Sequence, residues 1–195
     1  KEKSAIKFFK RSLTHFSKSH LTHFHLGLLL REHNEVNEGI SHLKKAVKFN
    51  TEFDDAYYYL ARFLEEKEDY EAAKEHYLKA LSRNHKHRDA SFHLGLLMKK
   101  LNMMEEAKAY MEKTIEADQN FTEAYYYLGM ILNDPADYAS ARKCYLTALD
   151  INPKYFMAHY HLANLLSSGR RLNKDGTLVI KKELDRAKKH YIKAL

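Results

Sequence analysis

Thirteen histidines are the first residues in this chain whose chemistry invites a site. Six of them form three His-x-His pairs: His23 with His25, His85 with His87, and His159 with His161. A shared metal ion would need both imidazoles on one side of the backbone. On a helix, residues two apart diverge by about 200°, so the first and third pairs are expected to face different ways. His85 and His87 fall in a turn, where two rings can converge, but no third ligand stands near them in the sequence and no metal is expected. A second stretch, GRRLNKDGTLVIKKEL at 169–184, brings Asn173, Asp175 and Gly176 together and invites a calcium reading. With Gly176 as the sixth loop position, the first is Arg171 and the twelfth Lys182, where the ion requires an Asp and a bidentate Glu. That chemistry fails, and Asp175-Gly176 reads as the tight turn of a small hairpin. Arg170, Arg171, Lys174, Lys181 and Lys182 surround its apolar Leu-Val-Ile run. This insertion is expected either to dock a partner or acidic surface, or to be a tolerated surface loop.

Catalytic signatures are missing. The chain contains no GxGxxG, P-loop, HExxH or GxSxG pattern, and Glu65 and Glu66 read as solvated helix ends, so no catalysis and no cofactor are expected in this segment. Asn120-Phe121-Thr122 matches a glycosylation acceptor, but so short a match arises often by chance and carries no weight. The single cysteine, Cys144, allows neither an intramolecular disulfide nor a zinc cluster, which suits a reducing, intracellular and most simply cytoplasmic setting. The most apolar stretch, FHLGLLL at 24–30, is far short of a membrane span, so no membrane insertion is expected.

These negatives turn attention to the elements. With 45% hydrophobic and 30% charged residues, only 6 Gly and only 2 Pro in 195 positions, the chain has few places for tight turns and reads as helical. A step of 34 then organises it. Thr22, Ala56, Ala90, Ala124 and Ala158 share one register, as do Leu26, Leu60, Leu94, Leu128 and Leu162. Gly27, Ala61, Gly95, Gly129 and Ala163 come next, all small; Gly39, Ala73, Ala107 and Ala141 recur further along, with Leu43, Tyr77, Met111 and Tyr145. Within each unit the apolar residues stand three and four apart, as in Tyr57, Leu60 and Leu64, then Ala73, Tyr77, Ala80 and Leu81. Two such runs, broken by polar stretches such as EEKED at 65–69, predict two helices per unit. A lone pair has too little interior to fold, so pairs must stack and share walls.

The unit resembles the tetratricopeptide repeat in its 34-residue length and in Leu128, Gly129, Ala141, Tyr145, Ala148 and Pro153 of the fourth unit. Tyr57 and Tyr125 stand where that family often has Trp, while Thr51, His85 and Gln119 replace its proline. The resemblance implies an all-α, right-handed superhelical solenoid of antiparallel helix pairs. Residues 1–20 read as the second helix of a preceding repeat, 21–155 as four complete repeats, and 156–195 as a fifth with the insertion between its helices. The chain is accordingly expected to be part of a longer array.

In such arrays the first helices line a concave groove. The resemblance therefore assigns partner contact to Phe24, Tyr58, Phe92, Tyr126 and Tyr160, and one turn on to Leu28, Arg62, Leu96, Met130 and Asn164. The clamp by which some members hold a chaperone's terminal carboxylate needs Asn at the second set, and an asparagine ladder would need Asn at His25, Tyr59, His93, Tyr127 and His161. Both are missing. The expected function is a noncatalytic scaffold that holds a helical or extended protein segment, within a larger multiprotein complex, ciliary or cytoskeletal in setting. Two rivals stay open: an RNA-binding helical array, and the targeting region of an enzyme whose catalytic domain lies elsewhere. The net charge of +7 favours RNA, but residues 1–20 carry +5 and 170–195 carry +6, which leaves 21–169 at −4 and disfavours nucleic acid along the repeats.

Overall fold

The computed structural model describes residues 2–132, 137–168, 185, 189, 190 and 192. The regular elements among them are all helical: α1 (Glu2–His15), α2 (His20–Glu32), α3 (Val36–Phe49), α4 (Asp54–Glu66), α5 (Tyr70–Arg83), α6 (Arg88–Lys100), α7 (Met104–Ala117), α8 (Thr122–Ile131), α9 (Tyr138–Ile151) and α10 (Phe156–Ser168). Their starts keep step with the sequence. The first helices begin at 20, 54, 88, 122 and 156, and the second at 36, 70, 104 and 138. The insertion at 169–184, with its expected hairpin and the basic residues Arg170, Arg171, Lys174, Lys181 and Lys182, lies outside the described residues, as does Pro135.

Two recurrent turns enforce this phasing. Inside a pair, the first helix stops at a residue in the left-handed region, Asn34, Glu68 or Asn102, with φ of 62°, 61° and 61°. The next N–H then reaches back across the turn, from Glu35 to Leu30 O (2.8 Å), Asp69 to Leu64 O (2.9 Å) and Met103 to Met98 O (2.8 Å), satisfying carbonyls that the helix end leaves open. Between pairs, the chain leaves the second helix through an Asn or Asp whose Oδ1 accepts the N–H two residues on. The bonds are Glu52 to Asn50 (3.0 Å), Lys86 to Asn84 (3.1 Å), Asn120 to Asp118 (3.0 Å) and Lys154 to Asn152 (3.1 Å). At Asn50, Asn84 and Asp118 this side-chain turn ends the helix without proline, with Thr51, His85 and Gln119 at the position where the family prefers it, and at Asn152 the same turn is followed by Pro153.

The chain divides into two compact units, one ending at Leu97 and the other starting at Met98. In the first, α2 packs on α3, α4 on α5, and α3 on α4. Leu26, Leu30, Leu43, Leu60 and Tyr77 are wholly buried there. Tyr77 brings its hydroxyl inside and donates it to Glu65 Oε2 at 2.7 Å, so Glu65 is a half-buried acceptor rather than the solvated helix end expected from sequence. In the second unit α8 packs on α7 and α9, and α10 on α9, around Met111, Thr114, Leu128, Tyr145 and Leu162.

Candidate functional site

The ring position of the first helices, to which the resemblance assigns partner contact, is mostly taken up by packing. Phe24, Tyr58, Phe92 and Tyr126 are 8%, 7%, 8% and 3% exposed, while Tyr160 is 47% exposed. Each buried ring sits among others. Phe24 meets Phe53 at 4.8 Å and Tyr59 at 5.6 Å. Tyr58 meets Tyr59, His87, His93 and Tyr77 at 4.9, 5.1, 5.8 and 6.2 Å. Tyr126 meets Tyr127, Tyr155, His161 and Tyr145 at 5.0, 5.4, 5.4 and 6.2 Å. The physical reason is that a first helix has a neighbouring repeat on its flank, and a large ring one step off the core face is drawn into that flank. What stays accessible is the residue one turn on: Leu28, Arg62, Leu96, Met130 and Asn164 are all half-buried.

Arg62 is the polar member of the first unit's set. Its Nη1 donates to Tyr58 Oη at 3.1 Å and to His93 Nε2 at 2.9 Å. A guanidinium only donates, so His93 Nε2 is the acceptor and the His93 proton sits on Nδ1. Burial, and then the adjacent Arg62 charge, push His93 down to about 4 and keep the ring neutral. Burial opposes the Arg62 charge as well, but the Tyr58 hydroxyl, Tyr77 and Glu65 outweigh it, and the guanidinium is held above its ordinary value. Burial raises Tyr58, so its hydroxyl stays protonated. No ion pair with Arg62 forms among the described residues. His93 was legible only as one of the five ring positions at 25, 59, 93, 127 and 161; its bond to Arg62, 31 residues away, was not.

The histidine pairs part company as their spacing requires: His23 is buried and His25 exposed, and His159 is buried while His161 is half-buried. His87 does not turn toward His85. It is buried, its Nδ1 accepts the Ala90 N–H at 3.2 Å as a cap for α6, and its Nε2 lies 3.3 Å from Asp55. Among the described residues, no three His, Cys, Asp or Glu side chains are grouped to hold a metal ion. No described helix is long and apolar enough to cross a membrane.

A family model described as tetratricopeptide repeat matches three successive stretches, 54–87, 89–121 and 122–155, together more than half of the chain. The chain belongs to the tetratricopeptide repeat family. Solved structures of this family's fold align with nearly all of it. YrrB, described as a TPR protein with an unusual peptide-binding site, is 22% identical with a TM-score of 0.75, covering 95% of each chain. MamA from Desulfovibrio magneticus RS-1 is 19% identical with a TM-score of 0.74, covering 90% of this chain and 92% of that one. The C-terminal part of a TPR repeat-containing protein from Cytophaga hutchinsonii is 17% identical with a TM-score of 0.78, covering 99% and 72%. At such identities the likeness shows the fold alone. No curated protein matches this tetratricopeptide chain significantly in sequence.

Proposed function

We propose that this chain is a noncatalytic scaffold that takes up a helical or extended protein segment along the first-helix faces of its repeats, as one subunit of a larger ciliary or cytoskeletal assembly. The observation that carries the reading is the half-buried position one turn beyond each packed ring. Leu28, Arg62 and Leu96 occupy it in the first unit and Met130 in the second, each half-buried with part of its side chain left for a ligand, while half-buried Asn164 follows the exposed Tyr160. Rings fixed by packing behind such a row supply a rigid backing, which lowers the entropy lost on binding. YrrB, of the same fold, is described as having a peptide-binding site.

The test is equilibrium binding of peptides selected from a random library on the 195-residue chain. Leu28→Asp and Met130→Asp, which place a charge where an apolar side chain is half-exposed, are expected to weaken selected peptides by about tenfold or more with little change in melting temperature. Peptides that hold equally well to both variants would move the binding site off this face. Tyr58→Ala and Tyr126→Ala are poor probes, because both rings are buried and their removal reports on stability first.

A further inference from the structure

Two buried histidines, His23 and His159, each meet a second imidazole head-on. His23 Nδ1 lies 2.8 Å from His42 Nδ1, and His159 Nδ1 lies 2.8 Å from His190 Nδ1. With ring centres 5.0 and 5.1 Å apart, the rings of each pair stand end to end and the two nitrogens lie between them. One pair belongs to the first compact unit and the other to the second. The partners are 19 residues apart in one and 31 in the other, so the same contact is built twice from different lengths of chain. The fold does not demand it. The repeats between carry Tyr57 and His76, Ser91 and Tyr110, then Tyr125 and Cys144 in the register of His23 and His42.

The protons show what such a pair lacks. His23 Nε2–H donates to Ser17 O at 3.1 Å, and His159 Nε2–H to Pro153 O at 2.9 Å. The Nδ1 atom of each therefore presents a lone pair, held in place through a backbone carbonyl as the rings of metal-bound histidines commonly are. His42 must then carry its proton on Nδ1, which leaves a bare Nε2 lone pair 3.8 Å from the Glu38 carboxylate. Burial first, then His23 and Lys45 against an opposing Glu38, push His42 down to about 4, so no second proton relieves this contact at neutral pH. A cation between the Nδ1 atoms does relieve it. The displaced proton moves to His42 Nε2, where Glu38, itself held by Lys10 at 2.8 Å, accepts it, and the net proton count is unchanged. Among the described residues no third His, Cys, Asp or Glu joins either pair, and His23 and His159 are 4% and 3% exposed. A tetrahedral ion such as Zn²⁺ would lack two of its ligands there. Two nitrogens aimed at each other along one line suit instead an ion that takes two ligands, and copper accepts imidazole.

We propose that His23 with His42, and His159 with His190, each hold a monovalent copper ion in linear coordination between their Nδ1 atoms. For metal–nitrogen bonds of about 2 Å the nitrogens part by about 1 Å, and the half-buried His42 and His190 are the members that border solvent.

The test is anaerobic titration of the 195-residue chain with Cu⁺ against a chromophoric Cu⁺ chelator, in a Cys144→Ser background that removes the thiol as a rival ligand. Two ions per chain are expected, one after His42→Gln, one after His190→Gln and none after both. Each single variant keeps the other unit's pair as a check on folding. If a Gln variant melts early, His42→Tyr, after Tyr110 in the same register, takes its place. Glu38→Gln leaves both ligands intact and is expected to weaken one of the two ions about tenfold or more, as loss of a carboxylate behind a metal-bound imidazole does. X-ray absorption of the loaded chain should show two nitrogen neighbours per copper. Ions that persist in the double variant place copper on other residues and overturn the assignment. So does a wild-type pair of sites that competes no better than the double variant. Four light-atom neighbours per ion would overturn the linear geometry and the choice of copper with it.

Discussion

Single atoms decide how closely two helices approach. A methyl group at Gly39 would stand 2.9 Å from the Gly27 carbonyl oxygen and 3.1 Å from Phe63 Cε2. The oxygen is helix backbone and cannot turn aside, so α2 and α3 would have to separate. Gly39→Ala is expected to destabilise the chain by about 1–3 kcal/mol, although alanine is the better helix former by roughly 1 kcal/mol. A lowered urea midpoint at unchanged slope would register it; an unchanged midpoint would mean the helices part freely. The histidines show what spacing hides at this scale. His23 Nε2–H donates to Ser17 O at 3.1 Å, which leaves its Nδ1 to accept from His42 Nδ1–H at 2.8 Å. His159 repeats the arrangement with Pro153 O at 2.9 Å and His190 Nδ1 at 2.8 Å. Both rings occupy the slot where the family often has Trp. Their neighbours two residues along the chain are mismatched as metal ligands, whereas the true partner lies far off in sequence.

Helix ends obey rules that the sequence displays more openly. Among the described residues, the first helices and the second helices of the four repeats from 20 to 151 follow the 34-residue step, because each helix has one face that must be buried and the period repeats it there without a slip. The Asn50, Asn84, Asp118 and Asn152 turns are written at the same step, and the first three stand just ahead of the positions where proline is missing, the fourth just ahead of Pro153. The burial of Tyr58 and Tyr126 was not legible. Periodicity tells which way a residue points, but the depth of a ring depends on the neighbouring repeat's flank, which no single helix encodes. The left-handed turn residues give a direct test. Glu68 holds φ of 61° where its counterparts are asparagines, and a glutamate has no short side chain to ease that conformation. Glu68→Gly relieves the strain, at some cost in unfolded-state entropy, and is expected to stabilise by about 0.5–1 kcal/mol. A rise in the thermal midpoint would bear this out, and a fall would show that the Glu68 side chain contributes more than its backbone costs.

For the molecule as a whole, acid is the expected weak point. His42 and His93 are both pushed down to about 4, in each case by burial first. His23 and Lys45 add to the effect at His42 against an opposing Glu38; Arg62 adds to it at His93 against an opposing Asp89. In the unfolded chain both return to about 6.5. Between these values the unfolded state binds more protons than the folded one. Stability is therefore full above pH 6.5 and declines as pH falls toward 4, by on the order of 2 kcal/mol per histidine. Urea unfolding at pH 7.5 and 5 should show the loss, and the double variant His42→Gln, His93→Gln should flatten it; a wild-type midpoint that ignores pH would contradict it. First helices that begin at 20, 54, 88, 122 and 156 also shape how such a chain can change over generations. A genetic duplication or deletion of residues 54–87 rejoins the chain with caps and faces still in register, whereas one residue lost inside a helix turns the rest of that helix by about 100°. The period is thus a unit of inheritance: copies are added or dropped whole, and each is then free to diverge, as Arg62 and Met130 already have.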